Sequence, residues 1–231
     1  MKLSRLLIFA ASLITVLCGL LTSAFAGPPL ICHRLDIGDA KSLPWTGDAW
    51  NLSGNESYDT KNLTKDTLAI LDSGAPVIVR METLRRATLY ARKDPRAAKE
   101  LLTRLYQRAN TEATSAGHDA LARFDIGYLA EAYQESFGKE PNLAAGIDGY
   151  DLVVKALALS GENDPEMEFA AALITLHGHD GAHQEHARKA IAGAKVDPLL
   201  ARNLSSQFRG DPKQTVSEAL TQRLTTEEAQ K

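Results

Sequence analysis

Four histidines fall within ten residues: His177, His179, His183 and His186. Imidazole is a common ligand for zinc, copper and nickel, so this tract is the densest candidate for chemistry in the chain. His179, His183 and His186 share one helical face if a helix begins as early as Gly178. The Gly-rich turn favours a later start, at Asp180 or Gly181. His183 and His186 then form an i, i+3 pair, with His177 and His179 reaching in from the turn and Asp180 and Glu185 as nearby oxygens. Either arrangement suits a bound zinc or copper ion. The His-Glu-x-x-His pattern of metalloproteases is absent. The alternative is a solvated, polar inter-helix turn that happens to be rich in histidine.

Cys32-His33 is a second candidate pair. A thiolate beside an imidazole can bind a soft metal or act as a reactive thiol. Without Cys-x-x-Cys-His, covalent haem attachment is not indicated. Neighbouring side chains on an extended chain point to opposite sides, which opposes a catalytic Cys-His pair. The alternative is a small apolar cysteine buried next to Ile31. Glu131 and Glu135 lie i, i+4 on one predicted helix, and they are expected to face water. Asn51, Asn55, Asn62 and Asn203 stand in glycosylation sequons, which matter only in a eukaryotic secretory pathway.

Charge is segregated along the chain. From Arg80 to Arg108 nine basic residues face three acidic ones, whereas from Glu112 to Glu168 twelve acidic residues face three basic ones. This predicts either ordinary solvated faces or a bipolar surface that selects a protein or peptide partner by complementary charge. The net charge of −3 disfavours general nucleic-acid binding, which usually shows a basic excess.

The elements that must carry these residues are helices. Residues 27–62 hold both tryptophans, Trp45 and Trp50, among many turn-forming residues. They predict an extended segment docked onto the body through its indoles. From there the pattern is helical. Leu63 to Leu71 is amphipathic and stops at Ser73-Gly74. Val77, Met81, Leu84 and Thr88 mark one face of the next helix. Further helices are expected from Pro95, from Ala120, and over 147–159, 165–176, 182–194, 198–208 and 215–224, followed by a polar tail at 226–231. Asp94-Pro95, Asp164-Pro165, Asp197-Pro198 and Asp211-Pro212 each place an aspartate at an N-cap and a proline at the first helical position, where its missing amide is no loss.

Asp94 to Asp164 is 70 residues and Asp164 to Asp197 is 33, near multiples of the tetratricopeptide period of about 34. The stretch from Asp164 to Pro198 has a helix with Ala171, Ala172 and Leu173. A Gly-containing turn at 177–181 follows, then a helix with Lys189, Ala190 and Ile191. It resembles one tetratricopeptide repeat. That resemblance, covering about residues 76–210 of a helical-pair domain expected over 63–225, implies an all-α array of antiparallel helix pairs, an α-solenoid of the kind that binds proteins or peptides. Separately, the opening Gly27-Pro28-Pro29-Leu30-Ile31-Cys32-His33, with Ser42-Leu43-Pro44-Trp45, resembles bacterial exported proteins of uncharacterised activity.

Residues 1–26 read as a cleavable signal peptide. Lys2 and Arg5 precede an uncharged run from Leu6 to Leu21, and Ala24-Phe25-Ala26 supplies the small-residue cleavage spacing. The run of about 16 residues is short for a membrane span, which needs about 20. Leu17 before Cys18 opposes a lipoprotein signal. Cleavage places the protein in the periplasm or outside the cell with no membrane attachment. It takes the charge from −3 to −5 and leaves Cys32 as the single cysteine, so stability must come from a packed core. The expectation is therefore an exported, non-enzymatic interaction module, with an extracytoplasmic metal-binding protein or metalloenzyme as the alternative.

Overall fold

A computed structural model describes residues 29–47, 52–111, 116–138, 143–161, 164–177 and 181–207 of the chain. The segment expected to be a signal peptide, Trp50, Asn51, His179, Asp180, Asp211-Pro212, the helix expected at 215–224 and the polar tail lie outside the described residues. The elements in chain order are a single turn α1 (Pro29–Cys32), α2 (Leu63–Leu71), α3 (Val77–Ala91), α4 (Pro95–Thr111), α5 (Ala116–Phe137), α6 (Gly149–Ser160), α7 (Pro165–Ile174), α8 (Ala182–Gly193) and α9 (Pro198–Gln207). The fold is all-α, and the described residues contain no strand.

The Asp-Pro signals act as their chemistry dictates. Asp94 Oδ1 accepts the backbone amides of Arg96 and Ala97. Asp164 caps α7 through Glu166 and Met167, and Asp197 caps α9 through Leu199 and Leu200. Each satisfies donors that the first helical turn leaves open. Successive helices then pack in pairs, most extensively α5 on α6 and α7 on α8. The first of these crossings is close because glycines face each other. A Cβ on Gly127 would lie 2.7 Å from the Gly149 carbonyl oxygen, and one on Gly149 would lie 2.5 Å from that of Gly127.

α3 departs from the one-faced helix its pattern predicts, since all fifteen of its residues are buried. It touches α1, α2, α4, α5 and α7, so it runs through the middle of the array. Arg80, Glu82, Arg85 and Arg86 on this helix are therefore inside the protein. Buried charge is tolerated only when paired and hydrogen-bonded, and each of these is. Arg80 makes a two-pronged ion pair with Asp125 of α5, Nε to Oδ1 at 2.8 Å and Nη2 to Oδ2 at 2.6 Å. Its Nη1 also donates to the Leu71 carbonyl at the end of α2. Glu82 takes Arg85 Nε at 2.8 Å on one oxygen and Arg86 Nε at 2.7 Å on the other.

The surplus positive charge of that trio is met by the segment before α2, which crosses α3 as a strap. Arg85 donates to the Ile31 carbonyl at 2.9 Å, Arg86 to the Leu43 carbonyl at 2.6 Å, and the Leu35 amide donates to Glu82 at 3.0 Å. The Trp45 ring lies 5.0 Å from the Arg85 guanidinium and 5.8 Å from that of Arg86, within cation–π range. Tyr90 donates to the Pro44 carbonyl and accepts the Asn55 amide. Gly54 is required there: its φ is +71°, and a Cβ would meet the Tyr90 ring at 2.8 Å. Leu30, Ile31, Leu35, Ile37 and Leu43 of the strap are buried in the same core as the helices.

Candidate functional site

The histidine tract resolves into separate roles. α8 begins at Ala182 after Gly181 in the left-handed conformation, the later of the two starts that the sequence allowed. His186 is buried, and both of its ring nitrogens are engaged. Nδ1 lies 2.5 Å from Glu168 Oε2 on α7, and Nε2 lies 2.9 Å from the Tyr150 hydroxyl on α6. Lys189 adds an ion pair to the other Glu168 oxygen at 3.2 Å. This carboxylate–imidazole–phenol chain ties three successive helices together. His183 Nδ1 sits 2.8 Å from the Ala172 carbonyl. The side chain of His177, like His179, lies outside the described residues. A metal ion on His186 would have to displace Glu168 or Tyr150. Among the described residues no three His, Cys, Asp or Glu side chains are gathered where an ion could be held.

Glu168 and Tyr150 are partners that spacing did not reveal. Glu168 nevertheless carried a signal. It stands in a buried run from Met167 to Ile174 that is otherwise apolar, and an acid in such a run must have a partner.

Cys32 is half-buried at the end of α1. Burial, and then the nearby Glu135 carboxylate, push its thiol up from the usual range, against the pull of Arg85 and Arg92. That disfavours the nucleophilic thiolate. His33 is half-buried, with Nδ1 3.3 Å from the Arg34 carbonyl. Glu131 and Glu135 do not simply face water. Glu131 accepts the Tyr150 amide at the start of α6, and Glu135 accepts the Leu30 amide of α1, both at 3.0 Å. Asn203 is fully buried and uses its amide on Asp36 and Leu199, so its sequon is closed in the folded chain.

The basic run from Arg80 to Arg108 divides by the same burial. Arg80, Arg85 and Arg86 are internal, whereas Arg92, Lys93, Arg96, Lys99 and Arg104 are exposed. The last three stand on the outer surface of α4, where Tyr106, 52% exposed, follows Lys99 two turns on. Where α4 meets α2 there is an open cavity of about 550 Å³, lined by Leu68 and Asp72 of α2 and by Arg104, Gln107, Arg108 and Thr111 of α4. Arg108 forms its inner wall, with a side chain only 14% exposed. Nη2 lies 2.9 Å from Asp72 Oδ1, and Nη1 lies 4.0 Å from the buried Asp125 Oδ2. The cavity has guanidinium and amide donors with one apolar wall, a lining suited to an anionic group carried on a short aliphatic stem.

No protein-family model matches the chain, and neither the curated proteins nor the solved structures compared with it gave a match.

Proposed function

We propose that the protein is an exported, non-enzymatic binding module built on tetratricopeptide-like helix pairs, and that its partner is a protein or peptide segment rich in acidic side chains. The outer face of α4 carries this reading. Arg96, Lys99 and Arg104 are exposed there against Glu100, with the exposed Tyr106 two turns on from Lys99 along one edge and Arg104 at the other edge, lining the α2–α4 cavity. Clustered cations on a rigid helix steer an acidic partner and set its register, while an exposed aromatic supplies contact area at small entropic cost. The burial of Arg80, Arg85 and Arg86 sharpens the reading, because it confines the exposed charge of the basic run from Arg80 to Arg108 to the α3–α4 turn and α4. The signal peptide would deliver this surface outside the cytoplasm, with the mature chain starting at Gly27. N-terminal sequencing of the secreted or periplasmic protein checks that start.

Fluorescence anisotropy with labelled oligoglutamate and oligolysine peptides tests the binding reading. The acidic peptide should bind, lose affinity as salt rises, and bind more weakly to the Arg96→Gln/Lys99→Gln variant. Equal binding of the two peptides, or none, overturns the proposal.

A further inference from the structure

We infer that the α2–α4 cavity is a carboxylate pocket, and that Asp72 occupies it in the unliganded protein as an internal stand-in for the partner's acidic side chain. The inference rests on the acidic-partner reading and assigns that reading a specific contact.

Asp72 is poorly suited to its position in every respect but one. It is the C-cap of α2, where the negative end of the helix dipole opposes a carboxylate. Its side chain is 61% exposed, and ion pairs so open to water contribute little. What holds it inward is Arg108 at 2.9 Å. Arg108 has no such latitude. Its side chain is mostly enclosed, and the buried carboxylate behind it, Asp125, has both oxygens engaged by Arg80. When the pair opens, Asp72 swings into water and the guanidinium stays at the inner wall.

The rest of the lining then fits a second carboxylate. Arg104 stands one helical turn before Arg108 and supplies another cation. Gln107 supplies a neutral amide donor, and Leu68 covers aliphatic carbons, while the Thr111 hydroxyl donates to the Gln107 carbonyl. A guanidinium fork binds a carboxylate through two parallel hydrogen bonds, which gives direction as well as attraction. The volume of about 550 Å³ admits one or two residues of a peptide and not a folded surface. Binding is thus an exchange, in which the partner's glutamate or aspartate replaces Asp72 on Arg108.

The exchange predicts a gain of affinity from removing an acid inside the site. With a labelled glutamate-rich peptide as probe, Asp72→Asn should tighten binding about two- to fivefold. Arg104→Gln, at an exposed position that leaves the fold intact, should weaken it. Asp39→Asn makes the same charge change at an exposed position away from the cavity and should leave affinity as it was. If Asp72→Asn has no effect or weakens binding, if Asp39→Asn tightens it equally, or if Arg104→Gln changes nothing, the pocket assignment is overturned while the acidic-partner reading stands. If the peptide does not bind the unaltered protein, both fall.

Discussion

Glu135 and Glu166 each accept a backbone amide at the start of a helix, Leu30 of α1 and Ile78 of α3 respectively. Burial is the largest influence on both and pushes their carboxyls up to about 7. Glu131 adds to the rise at Glu135, and Asp197 and Asp164 add to it at Glu166. A carboxyl with a folded-state pKa above its unfolded value binds its proton more tightly in the native protein. Its contribution to stability is then greatest below about pH 4.5 and is lost as pH rises through about 7. The unaltered protein should therefore melt several degrees higher at pH 5 than at pH 8 from these two groups. The Glu135→Gln/Glu166→Gln variant should lose that slope, because glutamine imitates the protonated acid and still accepts the amide. Calorimetry of both proteins across this range checks it, and an unchanged slope in the variant counts against the assignment. Neither glutamate was legible as a capping group in the sequence. The i, i+4 spacing of Glu131 and Glu135 reads as a solvated pair, and the amides they receive come from segments 19 and 105 residues away.

Helices were legible where a local signal sets them. Asp-Pro marks the starts of α4, α7 and α9 because both residues act within one turn, and Ser73-Gly74 ends α2 for the same reason. α3 was legible as a helix but not as a buried one. Val77, Met81, Leu84 and Thr88 mark a single apolar face, while Arg80, Glu82, Arg85 and Arg86 look like the wet side. Their burial depends on Asp125 and on carbonyls at Ile31 and Leu43, partners 43 to 54 residues away that no helical period encodes. The histidine tract shows the same limit, since spacing located His183 and His186 but not Glu168 or Tyr150. At this scale the most demanding contact is the crossing of α5 and α6. Gly127→Ala places a methyl 2.7 Å from a backbone oxygen that has no flexible side chain to yield. It should destabilise the protein by about 1–3 kcal/mol despite the better helix propensity of alanine. A lowered urea midpoint would show this, and a raised one would mean that the crossing opens freely.

Across the whole molecule, the strap and the last described helix hold one another. Asn203 of α9 accepts the Asp36 amide at 2.8 Å and donates to the Asp36 carbonyl at 2.8 Å, while Arg202 pairs with the Asp36 carboxylate at 2.7 Å. Asn203→Ala leaves two polar backbone groups without their partner and should cost about 1–3 kcal/mol. Hydrogen exchange would read it out as faster opening of residues 30–43, with α5 little affected. Exchange that speeds up equally in both regions would mean that the strap has no separate opening step.

The strap is also synthesised well before its clasp on α9. At about 5–20 residues per second, the 167 residues between Asp36 and Asn203 take on the order of ten to thirty seconds to emerge. For that interval Asp36 has no Asn203 to receive it, although Asp125 and the strap carbonyls that cover the buried cations of α3 emerge well before α9. The order of synthesis thus leaves the strap unclasped until α9 emerges.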